Sequence, residues 1–144
     1  MCETTTISAD NNGWGVIQSR GYPKWEQNSN CTLTITTNDP TKSIRFYVTD
    51  IQIQYTQTGN SEKCITDSLK ISDGISRETY CGGRSLQTTY SYTTCSNTLT
   101  VSFKTGSGSI FTPGSNRGFN AYYECIICFS FILFSFKSFR KKKF

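Results

Sequence analysis

The side chains best suited to chemistry in this sequence are its cysteines, seven in 144 residues, and there is no histidine. Lack of histidine removes the commonest general base, the Ser-His and Cys-His nucleophile pairs and most zinc sites. Cys125 and Cys128 have the spacing of a redox dithiol. They enclose two isoleucines and have no helix cap behind them, so a catalytic dithiol is not expected. The carboxylates are scattered and never form an acid/base pair. Gly13-x-Gly15 and Gly106-x-Gly108 lack the third glycine and the following helix of a nucleotide-binding loop. The chain is not expected to be an enzyme.

Without histidine or paired CxxC motifs, the cysteines read as disulfide partners in an oxidising compartment. Asn30-Cys31-Thr32 is a glycosylation sequon, which agrees with export and marks Asn30 for modification. Residues 1–20 contain no charged-then-apolar signal segment. The expectation is therefore one portion of a longer secreted chain, or a sequence lacking its first exon.

The net charge of +5 is a property of the C-terminus. Residues 1–124 hold equal numbers of acidic and basic side chains, and Lys137, Arg140, Lys141, Lys142 and Lys143 supply the excess. A phosphate-tracking protein carries its cations across a folded face, so nucleic acid is not expected as a partner.

These groups must be positioned by strands. Leu33 and Ile35 alternate with threonines. Ile44, Phe46 and Val48 form a second alternating run, and Ile51 and Ile53 a third. Leu69 and Ile71, then Leu99, Val101 and Phe103, repeat the pattern. Period two with one apolar face predicts half-buried antiparallel strands. Turn signals such as Asn38-Asp39-Pro40, Asp73-Gly74 and Gly82-Gly83 separate them. Two facing sheets would bury the apolar sides together. No helical periodicity precedes Cys125.

Several pieces fall in a familiar order: Gly15-Val16-Ile17-Gln18-Ser19 then Tyr22-Pro23, Cys31 followed by Ile35, Cys64, Asp67 through Gly74, Tyr80-Cys81-Gly82, Leu99 through Phe103, and Gly118 through Tyr123. Over residues 2–123 the sequence resembles a CUB domain. The resemblance implies an all-β, jelly-roll-type antiparallel sandwich at residues 1–124, related in kind to spermadhesins. It also implies disulfides Cys2–Cys31 and Cys64–Cys81. Cys95 and Cys125 leave open a third bridge, against free or intermolecular thiols. Gly15, Gly74, Gly82 and Gly118 are expected at turns or close approaches, Phe119, Ala121 and Tyr123 on an inward face, and Trp25 in packing.

Many members of the family bind calcium through a Glu and two Asp residues, since calcium takes six to eight oxygens. Asp67 matches one of these. Gln52 stands near the expected Glu, and a neutral run follows Lys104 in place of the second Asp. Asp67 is accordingly expected to be structural, with no cofactor, and calcium at Asp67 is the alternative.

Residues 125–144 form an apolar run and then a basic one. Twelve helical residues rise about 18 Å, short of the ~30 Å hydrocarbon core of a bilayer. Translated non-coding sequence, a shortened membrane anchor, and a peripheral membrane-contacting or partner-binding peptide over 125–143 remain as readings. The expected function is non-catalytic docking to extracellular proteins or glycans within a larger secreted or membrane protein. Polar loops around Tyr55-Thr56-Gln57 and Tyr90-Ser91-Tyr92 are candidate contacts. The alternatives are a matrix component cross-linked through its odd cysteine and a membrane-anchored receptor ectodomain.

Overall fold

The computed structural model describes residues 4–10, 13–24, 28–59, 61–84, 90–94, 96–106 and 118–127. Within them the chain forms β1 (Thr5–Ser8), β2 (Trp14–Gln18), β3 (Asn30–Thr36), β4 (Lys42–Ile53), β5 (Thr56–Thr58), β6 (Ser61–Lys63), β7 (Ser68–Ser72), β8 (Arg77–Tyr80), β9 (Gly82–Arg84), β10 (Tyr90–Thr93), β11 (Thr98–Lys104) and β12 (Gly118–Ile127). One sheet runs β1-β3-β11-β7-β8 and the other β10-β4-β12-β2, with β9 also on β4. Strands β5 and β6 pair as a separate hairpin.

The alternation in the sequence decides which side of each strand is dry. Leu33 and Ile35 of β3, Leu69 and Ile71 of β7, and Leu99 and Val101 of β11 are at most 1% exposed. They face Ile44, Phe46 and Val48 of β4 and Phe119 and Ala121 of β12, which are equally buried. The Phe103 and Phe119 rings meet between the sheets with centroids 5.0 Å apart. The expected inward face of the last strand is present.

Strand β4 joins two runs that the sequence presents separately. Its apolar residues fall on even numbers as far as Val48, then on odd numbers at Ile51 and Ile53. An unbroken strand would turn one set into water. The ladder with β12 pairs Val48 with Ala121 but Asp50 with Asn120, so Thr49 is an inserted residue, a β-bulge that restores the phase. The Thr49 hydroxyl donates to the Asn120 carbonyl at 3.1 Å and accepts from its side-chain amide at 2.8 Å.

The all-β sandwich of two sheets is as expected. Within it one ladder is parallel, β1 beside β3, with Ile7 next to Ile35. Cys125, Ile126 and Ile127 continue the β12 ladder past residue 124, opposite Ile44, Ser43 and Lys42. The remainder of the apolar and basic tail, residues 128–144, lies outside the described residues, as does Trp25.

Close approach dictates two glycines. At Gly118, φ is +86°, and an added Cβ would lie 2.0 Å from the Ser19 hydroxyl oxygen. That oxygen accepts the Phe119 N–H at 3.0 Å. At Gly15 an added Cβ would lie 2.6 Å from the Tyr123 ring.

At one end of the sandwich Asp10 ties two loops together. Its carboxylate accepts from the Thr37 hydroxyl at 2.6 Å and from the Asn38 N–H at 3.0 Å. These bonds, Thr37 first, hold its pKa below the usual carboxylate value. A lowered carboxylate pKa gives stability that is present above the unfolded pKa of about 4 and is lost as pH falls through the folded value. Acid melting scans are expected to show wild type losing stability below about pH 4, with a shallower loss in Asp10→Asn; parallel curves would contradict this. Deleting Thr49 is expected to abolish the cooperative thermal transition, whereas Thr49→Ser retains it; a folded deletion variant would refute the phase argument.

Candidate functional site

Two surfaces are candidates. The first is a loop end organised by Asp67. Three residues before it, Cys64 is joined to Cys81 by a disulfide. The Asp67 side chain is fully buried, and its two oxygens accept the N–H groups of Gln54 and Gly106, each at 3.1 Å. It thereby ties the chain after β4 to the chain after β11. Beside Gly106, Thr105 exchanges hydrogen bonds with Ser29: the Thr105 N–H reaches the Ser29 carbonyl at 2.8 Å, and the Ser29 N–H reaches the Thr105 hydroxyl at 2.9 Å. Buried Asp50 accepts from the Tyr22 hydroxyl at 2.6 Å.

This donor set does not fit a calcium ion. Asp67 directs both oxygens at backbone amides, and Gln52 is a neutral amide. Residues 105–117 contain no carboxylate. Among the described residues no group of three or more His, Cys, Asp or Glu side chains gathers to hold a metal. Calcium of this kind is held chiefly by anionic oxygens.

The candidate contact loops divide. Tyr55 is exposed and precedes the β5–β6 hairpin. Tyr90 is half-buried, its ring 4.4 Å from that of Tyr80. Tyr92 is no surface contact: it is 6% exposed, and its hydroxyl bonds the Ser76 hydroxyl at 2.5 Å and donates to the Ser76 carbonyl at 3.1 Å. It lies on β10 opposite Phe46, on the inward side of the sheet.

The second surface is the outward face of the β10-β4-β12-β2 sheet. Ladder register sets Val16, Tyr122, Tyr47 and Ser91 in one row across the strands, and Trp14, Glu124, Arg45 and Thr93 in the next. Trp14 is 62% exposed and Val16 58%. The Tyr47 and Tyr122 rings stack with centroids 4.4 Å apart and planes within 18°. The Tyr47 hydroxyl donates to the Glu124 carboxylate at 2.9 Å and accepts from the Arg45 guanidinium at 3.1 Å. Arg45 also reaches Glu124 at 3.4 Å. Gln18 donates to Asn120 at 2.9 Å along the next row. The result is a neutral aromatic ridge whose polar groups are held in place by one another. The sequence reading did not single out this face. Its signal lay in one outward aromatic on each of β2, β4 and β12, namely Trp14, Tyr47 and Tyr122.

The cysteine sites resolve in part. Cys31 is disulfide-bonded, and its expected partner Cys2 lies outside the described residues. Cys125 is a free thiol, so the bridge to Cys95 is not formed. Strand β12 carries it into the sheet opposite Ile44, where its sulfur approaches the Ala9 carbonyl at 3.9 Å. Cys95 and Cys128 lie outside the described residues. Burial pushes the Cys125 thiol up. Asn30 is exposed at the start of β3, on the opposite sheet from the aromatic ridge.

The comparisons can be set beside this geometry. The family described as CUB domain matches residues 2–123. The chain belongs to the CUB family. Among solved structures, the CUB1-EGF-CUB2 domains of rat MASP-1 align at 21% identity and TM-score 0.66, covering 85% of this chain and 42% of that one. The full extracellular region of zebrafish Gpr126/Adgrg6 aligns at 19% identity and TM-score 0.66, covering 85% and 14%. The MASP-1 CUB2 domain bound to Ca2+ aligns at 23% identity and TM-score 0.59, covering 78% and 93%. The chain thus spans less than half the length of the first two. No curated protein matches it.

Replacing Asp67 with Ala removes two hydrogen bonds to a charged acceptor, at about 1.5–3 kcal/mol for each. Urea unfolding is expected to show a loss of that order, and an unchanged midpoint would exclude the loop-tying role. Because burial disfavours the thiolate, Cys125 is expected to react with iodoacetamide at pH 8 far more slowly in the folded than in the unfolded chain. Mass spectrometry of the modified peptide checks this, and equal rates would contradict it.

Proposed function

We propose that this CUB domain is a non-catalytic extracellular docking module, part of a larger secreted or membrane protein, that binds a protein or glycan on the outward face of the β10-β4-β12-β2 sheet. The observation that carries the reading is the exposed Trp14 beside the stacked Tyr47–Tyr122 pair and Arg45. Trp, Tyr and Arg are the residue types that dominate binding energy at interfaces. Here the tyrosines and the arginine are already ordered by hydrogen bonds and stacking, which lowers the entropy lost on binding. A disulfide-stapled sandwich suits an oxidising compartment.

The proposed glycan at Asn30 would sit on the other sheet and leave this face clear. Among the described residues no carboxylate cluster gathers at the loop end, which supports a contact built on aromatic groups over one built on a metal-ordered acidic loop.

A fluorescent tetramer of the module, applied to glycan arrays and to cell surfaces, tests the proposal. Wild type is expected to bind, and Trp14→Ala to lose about tenfold or more of the affinity, as a central aromatic anchor does, with an unchanged melting temperature. Equal binding by the variant, or no binding by wild type, would contradict the assignment.

A further inference from the structure

Strand β2 is the outer strand of its sheet, pairing only with β12 among the described residues. The hydrogen bonds at its two ends fix which of its backbone groups face β12. The Gly13 carbonyl accepts the Cys125 N–H at 2.6 Å, and the Ser19 N–H donates to the Phe119 carbonyl at 3.1 Å. In an antiparallel ladder the bonded positions alternate. The odd-numbered residues of β2 therefore bond β12, and the N–H and C=O groups of Trp14, Val16 and Gln18 point away from it. These same residues carry their side chains on the outward face, where Trp14 and Val16 are among the most exposed large apolar groups.

Natural edge strands are blunted by lysine, proline, a bulge or an inward charge. Strand β2 has none of these. Its sequence is Trp-Gly-Val-Ile-Gln, its ladder with β12 shows no register shift, and it carries no charge. Of the two outer strands of the other sheet, β8 contains Arg77 and Glu78, and β1 is a four-residue strand with no large aromatic.

We propose that the β2 edge pairs with the β2 edge of a second copy of this chain, antiparallel and about a two-fold axis at Val16. The self-complementarity argues for this occupant. With Val16 opposite Val16 of the second copy, Trp14 falls opposite Gln18 of that copy, and Gln18 opposite Trp14. Every outward N–H then meets an outward C=O in this single register. A residue near a two-fold axis meets its own kind, so a charge there would repel itself; β2 is uncharged along its whole length. The pairing joins the two sheets edge to edge and makes their outward faces continuous, Val16 beside Val16 with a Tyr122–Tyr47 row on either side. The inference does not depend on which partner that face takes.

Sedimentation of the full chain, in preparations shown by non-reducing electrophoresis to hold no intermolecular disulfide, tests it. Wild type is expected to show a monomer–dimer equilibrium. Val16→Lys, which sets two cations at the axis, is expected to be monomeric at concentrations where wild type is dimeric. Val16→Thr, neutral and β-branched, is expected to remain dimeric, which separates loss of pairing from loss of fold. Amide hydrogen exchange at Val16 is expected to slow as the wild-type protein is concentrated and to stay fast in Val16→Lys. A monomer across the range would overturn the proposal. So would a Val16→Lys dimer as tight as wild type, whether formed through the tail or another edge, or a dimer in which the Val16 amide exchanges freely.

Discussion

A single inserted residue, Thr49, keeps the two halves of β4 in phase with one core. Upstream of it Ile44, Phe46 and Val48 are buried, and downstream Ile51 and Ile53 are buried on the opposite parity. Because β4 lies at the centre of its sheet, between β10 and β12, a slip there would turn out either the aromatic or the isoleucine half of the core. The same phase fixes the outward face. With Phe46 inward, Arg45 and Tyr47 must point to solvent, and the β12 ladder then sets Tyr122 and Glu124 beside them. Core and surface follow from one constraint.

The loop end is governed by a different economy. Burying a carboxylate is costly unless hydrogen bonds satisfy it, and Asp67 meets that condition by accepting backbone amides from two separate loops. Here the tie runs through the Gln54 and Gly106 amides. The energetic role of Asp67 is cohesion of the end of the sandwich.

Much of this was legible in the residues. The alternation of Leu33 and Ile35, of Leu69 and Ile71, and of Leu99, Val101 and Phe103 specified three strands, which the structure joins in one sheet, and Phe119, Ala121 and Tyr123 were readable as inward. Cys64 and Cys81 form the disulfide that the family resemblance implied. The rest lacked a local signal. Strand β2 places Val16 and Ile17 side by side, so its pattern does not reveal that one is outward and the other inward. The parallel pairing of β1 with β3 is a non-local contact between short threonine-rich segments. Tyr92 looked like a loop tyrosine because Tyr-Ser-Tyr-Thr carries no aliphatic residue, yet the strand turns its ring inward and satisfies its hydroxyl on Ser76. Cys125 looked available for a bridge, whereas the ladder draws it into the sheet.

The phase of β4 against β12 is open to direct observation by cross-strand nuclear Overhauser effects in the folded protein. The account predicts contacts that pair Val48 with Ala121 and Asp50 with Asn120, leaving Thr49 without an opposite residue. An uninterrupted one-to-one ladder through Thr49 would contradict it, and with it the placement of Tyr47 and Tyr122 on the outward face.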